Sequence, residues 1–347
     1  MAFSLPRLFL SAALMGGLLG SAAHAADEPE IKDLSLGFGV DVAFAPHVVA
    51  IEKGWFGDAG FESIATQSFS AGALAGEALV AGGIHLWTPG NLPPISMVHN
   101  AVPVVVIGNN AIANGLEKLV VRNDAGVETP EDLCNIKIGL LQGSTSSAFL
   151  GSLADHYGLD PACLQVVNLP PPEQLASLVS GDTQALLAWE PWPYRALEGT
   201  DSKVVHTGLV SHFPANDGEE VKVSHNRSLY VVSQEFASDN PNAVRALSEV
   251  LTRAQKYVAD PANRDEVVKL FSDYQGQDAK VNAELWDNFV FDPTIDQAYV
   301  DDMEATAAFL ESTGRIHDRM DVLSYTYTEP LKEADPALVE TEGTWQP

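Results

Sequence analysis

Four hydroxyl side chains, Ser144-Thr145-Ser146-Ser147, follow Gly143 where a strand-like run gives way to a helix-like one. The first N–H groups of a helix have no partner inside it. Joined by hydroxyl donors and the helix dipole, they form a site for a sulfonate, carboxylate or nitrate. The competing reading is a plain Ser/Thr helix cap. Glu190 follows the apolar run Ala185 to Trp189, with Pro191 restricting the backbone behind it and Trp189 or Trp192 beside it as an apolar wall. For a ligand with an ammonium group, Glu190 is the obvious counter-charge and Asp41 the second candidate; otherwise Glu190 caps a helix or bonds to backbone. Other polar candidates stand in loops: His47 after the first strand-like run, Ser70 and Gly72 after the second, Thr88 and Asn91 in Thr88-Pro89-Gly90-Asn91. A lone histidine such as His47 is more often a structural hydrogen-bonding residue than a ligand contact.

Positioning these loops requires an alternation of strands and helices. Leu34 to Phe38 reads as a strand, Pro46 to Lys53 as a helix, Phe61 to Phe69 as extended and Ala73 to Ala81 as a helix. Ile84 to Trp87 and the apolar run Val102 to Ile107 are of buried-strand type. Leu119 to Val121 opens a second series: Ile136 to Leu141, a helix from Ser146, Leu164 to Leu169, a helix from Glu173, then Ala185 to Trp189. Glu198 to Lys222 reads as polar loop, Leu229 to Val232 as one more strand, and the remainder as helical. Such alternation calls for mostly parallel sheets flanked by helices, an α/β fold whose ligands bind at strand C-terminal ends. The outline is two lobes, one from 26–121 plus 228–347 and the other inserted as 122–227. The crossings fall near Arg122 and Arg227, with Arg227 expected to pair with the acidic surface and, as the alternative, with an anion.

Residues 1–25 read as a secretory signal, with Arg7 as the only charge, an apolar run of about 13 residues, and Ala23-His24-Ala25 as the cleavage pattern. A bilayer span needs about 20 residues, so cleavage and export are expected. Removing Arg7 takes the net charge from −28 to −29. A field of that sign repels nucleic acid and anionic lipid. Cys134 and Cys163 each stand just before a strand-like run of one predicted βαβ unit, which brings them close. In an oxidising compartment they are expected to form a disulfide. Enzyme chemistry finds little support: there is no Gly-x-Ser-x-Gly elbow, P-loop, His-Glu-x-x-His or zinc-spaced cysteine pair, and no metal or cofactor is expected.

Several segments together resemble the substrate-binding proteins of ABC importers for nitrate, sulfonate, taurine and related ligands. They are Ala50-Ile51-Glu52-Lys53-Gly54-Trp55-Phe56, Leu119-Val120-Val121-Arg122, Gly143-Ser144-Thr145, Val167-Asn168-Leu169-Pro170-Pro171 and Ala188-Trp189-Glu190-Pro191, in the family's order from about residue 34 to 235. The resemblance implies a type II periplasmic binding protein fold, with ligand clamped between two hinged lobes. It also implies a monomer that delivers a small-molecule solute to an inner-membrane ABC permease and its ATPase. Gly83-Ile84-His85-Leu86-Trp87 departs from the family, which usually has Asp in that strand, and the Thr88 to Pro94 loop is also atypical. An alkanesulfonate such as taurine is the leading solute. The alternatives are a thiamin-precursor pyrimidine, an aromatic acid, or a ligand-sensing role at a membrane receptor.

Overall fold

The computed structural model describes Met1, residues 28–69 and residues 72–347; Ser70 and, Met1 apart, the expected secretory signal lie outside the described residues. The named strands are β1 (Asp33–Phe38), β2 (Ser63–Ser68), β3 (Val104–Ile112), β4 (Glu117–Arg122), β5 (Lys137–Leu140), β6 (Gln165–Asn168), β7 (Ala185–Trp189), β8 (Ser202–His206) and β9 (Arg227–Ser233). In the first lobe β1 pairs in parallel with β2, and β3 pairs antiparallel with β9. The segment around Leu86 and Trp87 joins the two pairs, bridging Leu36 on one side and Val231 on the other. The second lobe is built on one five-stranded sheet ordered β6-β5-β7-β4-β8.

Two sequence expectations need correction. The strand Leu119 to Val121, expected to end the first lobe, pairs antiparallel with β7 and β8 in the second sheet, where Leu119 stands opposite His206 of β8. The outgoing crossing therefore lies between Ile112 and Glu117, and Ala113 N donates to Asn226 O of the return crossing at 2.9 Å. The polar stretch after Glu198 contains β8, whose burial is confined to its last two residues; alternation too weak to read leaves only the pairing with β4 to define it. The second sheet is consequently mixed, with β5 parallel to β6 and β7 while β4 runs against its neighbours.

Packing follows the apolar periodicity. Helix Pro241–Ala259 buries Val244, Leu247, Leu251, Ala254 and Val258 on one face, and each buried Val or Leu contributes about 1.5–3 kcal/mol. Helix Gln297–Ser312 buries Met303, Ala307 and Leu310. Cys134 and Cys163 form a disulfide with Cα atoms 4.9 Å apart, because Lys137 and Gln165 are register partners in neighbouring parallel strands. Replacing both cysteines with serine is expected to cost about 3 to 4 kcal/mol by loop entropy. A urea midpoint that does not move would show that the bridge contributes nothing.

Candidate functional site

The loops at the strand ends of the two lobes meet in two places. In the first, a Cβ placed on Gly90 would stand 2.9 Å from Thr145 Cγ2 and 3.0 Å from Asn226 Oδ1, so the loop after Trp87 touches the helix start of the other lobe. In the second, Asp41 after β1 and Glu190 after β7 line one small cavity with Val42, Pro191, Leu285 and Phe289. Gly72 begins helix Gly72–Val80 and lies against Pro89, so the loops after β2 and after Trp87 are also neighbours.

The first-lobe wall is built around His47. Its Nε2 is 2.9 Å from Thr88 Oγ1, and the Phe38, Phe44 and Tyr230 rings surround it with centroids 5.2–5.4 Å from one another or from the imidazole. Burial pushes the imidazole down to about 3, so it is neutral and serves as a hydrogen-bonding group rather than a charge. Asn91 is buried, and its Nδ2 donates to His225 O and Thr306 Oγ1. Asp41 accepts from Ala43 N at 3.0 Å, and desolvation raises its carboxyl to about 6 against the pull of that bond.

Helix Thr145–Tyr157 supplies the opposite wall. Ser144 is its extended N-cap residue, yet its hydroxyl donates back to Leu141 O at 2.7 Å. Gly143, at φ +82°, turns the chain into the helix and donates its N–H to Ser147 Oγ. Ser146 is buried, and its hydroxyl has no partner among the described residues. Thr145 donates its hydroxyl to Glu117, a carboxyl at the start of β4 that also accepts from Ser224 Oγ at 3.3 Å and Asn226 Nδ2 at 3.2 Å. Desolvation raises Glu117 to about 7, against the opposing effect of those three bonds.

Glu190 is buried and already engaged: Lys118 pairs with Oε1, and Oε2 accepts from Tyr194 N at 2.9 Å. Its peptide bond to Pro191 is cis. Trp189 is half-buried, opposite Glu117 in the β4–β7 register, and packs against the first-lobe core. Glu117 carries no sequence signal, because a single acid at the head of an apolar strand has no motif; its partners Ser224 and Asn226 stand over 100 positions away. Arg227, expected to pair at the acidic surface, is instead buried and donates to Asp302 at 2.8 Å.

Residues 27–272 match the family described as NMT1-like, well over half of the chain. The chain belongs to the NMT1-like family. Among relatives of this NMT1-like protein, the taurine-binding periplasmic protein of Escherichia coli is 26% identical over 247 residues, covering 70% of this chain and 72% of the relative. The fold is shared with the alkanesulfonate-binding protein SsuA from Xanthomonas axonopodis pv. citri bound to MOPS, at a TM-score of 0.70 and 19% identity, covering 87% of this chain and all of that one. It is shared as well with the periplasmic nitrate-binding protein NrtA from Synechocystis PCC 6803, at 0.72 and 15% identity, covering 90% of each chain. Among the described residues of the NMT1-like chain, no helix is long and apolar enough to cross a membrane, and no three His, Cys, Asp or Glu side chains are grouped to hold a metal ion.

Gly90→Val in the NMT1-like protein is expected to cost about 1–3 kcal/mol of stability, because side-chain atoms would enter the space Thr145 and Asn226 fill. An unchanged urea midpoint would show that this contact between the loops gives way freely.

Proposed function

We propose that this is an exported solute-binding protein that captures a small anionic or zwitterionic organic solute, with an aminoalkanesulfonate such as taurine the leading candidate. Residues 1–25 are removed on export, the mature protein works as a periplasmic monomer, and it passes its solute to an inner-membrane ABC permease and its ATPase. Its two lobes, divided at the crossings near Ala113 and Asn226, close on the solute, and no bond is made or broken.

The observation that carries this reading is the start of helix Thr145–Tyr157, partly exposed and facing Gly90 of the other lobe. Backbone N–H donors there replace the water around an anion, and lobe closure removes the rest. The relatives' names specify taurine, alkanesulfonate and nitrate, all small solutes with an oxyanion group. Calorimetry against taurine, ethanesulfonate, nitrate, amino acids and pyrimidines tests the reading. Binding of a sulfonate that Thr145→Pro, which removes the first N–H of the helix, weakens about tenfold is expected; a panel without any binding sulfonate overturns the solute class.

A further inference from the structure

A second small cavity lies between the lobes, with walls from Asn91 and Thr306 of the first, Thr145 and Phe149 of the second, and Ser224 and Asn226 of the return crossing. Its room is about 10 Å³, the space of a single water-sized group. Two buried amide oxygens on this cavity, Asn91 Oδ1 and Asn226 Oδ1, have no hydrogen-bond partner among the described residues. The Asn91 orientation is fixed, because its Nδ2 faces the carbonyl of His225, which can only accept. Asn226 Nδ2 is likewise committed to Glu117.

The lining therefore offers acceptors in excess of donors. Glu117 stands directly behind it, and its bonded partners Thr145, Ser224 and Asn226 are all neutral. The nearby basic side chains are committed elsewhere: Lys222, His225 and Arg227 bond to Asp302, and Lys118 to Glu190. A water would serve the two amide oxygens and leave the carboxylate without a counter-charge. A primary ammonium group has the same size, three donors and no acceptor, and carries the missing positive charge.

We propose that this cavity seats the ammonium group of the solute, with Asn91 and Asn226 accepting its N–H bonds and Glu117 as its counter-charge. The inference rests on the solute-binding reading above and assigns the amine to the Glu117 side of the gap, because Glu190 is already neutralised by Lys118. Its walls come from both lobes, so the amine enters while they are apart and is enclosed when they meet.

Matched pairs that differ only in the amine test this: taurine against ethanesulfonate, and β-alanine against propionate, by calorimetry on wild type and Glu117→Gln. Wild type is expected to prefer the amine member about tenfold or more, and the variant to lose that preference. Independently, methylammonium chloride is expected to raise the melting temperature of wild type above that in equal sodium chloride, and not to do so in the variant. Should the variant fail to fold, the wild-type comparison of methylammonium with sodium decides. If neither acid series binds while methylammonium stabilises, the solute assignment fails and the amine seat stands. Equal affinity within each pair, or equal shifts from methylammonium and sodium, overturns the amine seat.

Discussion

Replacing Asp302 with alanine is expected to destabilise the protein by about 3 to 5 kcal/mol, the cost of leaving a buried ion partner unpaired. Asp302 accepts from Lys222 Nζ and His225 Nδ1, each at 2.9 Å, and from Arg227 Nε at 2.8 Å. Lys222 and His225 keep partial contact with solvent and can rehydrate, whereas the Arg227 side chain is only 3% exposed and cannot. Burial alone would raise the Asp302 carboxyl, but hydrogen bonds from His225 and Lys222 and the charge of Arg227 outweigh it and hold it well below the usual range. A depressed folded-state value means the contribution is complete above the ordinary aspartate pKa and is lost as pH falls through the folded value. Urea denaturation at neutral pH measures the loss. An Asp302→Ala, Arg227→Leu double variant should recover part of it, since no charge is then stranded. A single-variant loss below about 1 kcal/mol would contradict the account.

That cluster ties helix Gln297–Ser312 to the return crossing, and the same helix touches the second lobe again where Phe309 lies on Gly151. A Cβ on Gly151 would stand 2.5 Å from the Phe309 ring, so only glycine allows this approach between the helices. The family match ends at residue 272, which places Asp302 and Phe309 in the part of the chain beyond it. Contacts that join the lobes are thus supplied in part by sequence outside the matched region.

The parallel segments were legible because they are short apolar runs separated by helical periodicity: β5, β6 and β7 appear where Ile136 to Leu141, Leu164 to Leu169 and Ala185 to Trp189 placed them. The disulfide was legible for the same reason, since neighbouring parallel strands bring their first residues together. β8 was not, because an edge strand with one buried end carries little alternation. At the site, sequence could name the loops that follow each strand, because topology fixes where strand ends lie. It could not say which acid is free. Lys118 neutralises Glu190 only because β4 runs beside β7, and Asn226 comes to Glu117 where the outgoing and return crossings are hydrogen-bonded to each other.

Glu117→Gln is expected to stabilise the unliganded protein at alkaline pH by an amount on the order of 3 kcal/mol, and to have little effect in acid. The ordinary value of 4.5 rises to about 7 in the folded state because the carboxyl is desolvated. The folded protein therefore holds this proton more tightly than the unfolded chain. Below about pH 4.5 both states are protonated and the group is neutral in effect; between there and about 7 its ionisation costs progressively more stability; above 7 the full penalty applies. Glutamine keeps the carbonyl acceptor for Asn226 and Ser224 without the charge. Asp41 is raised in the same direction and adds a similar slope to both proteins, so the difference between their pH–stability curves isolates Glu117. Denaturation midpoints measured from about pH 4 to 8 should diverge as pH rises; parallel curves would mean that Glu117 carries no penalty. A bound ammonium would remove that penalty in wild type alone, so an amine-bearing solute should stabilise wild type more than the glutamine variant, most of all above pH 7, where the carboxyl is ionised and waiting for a partner.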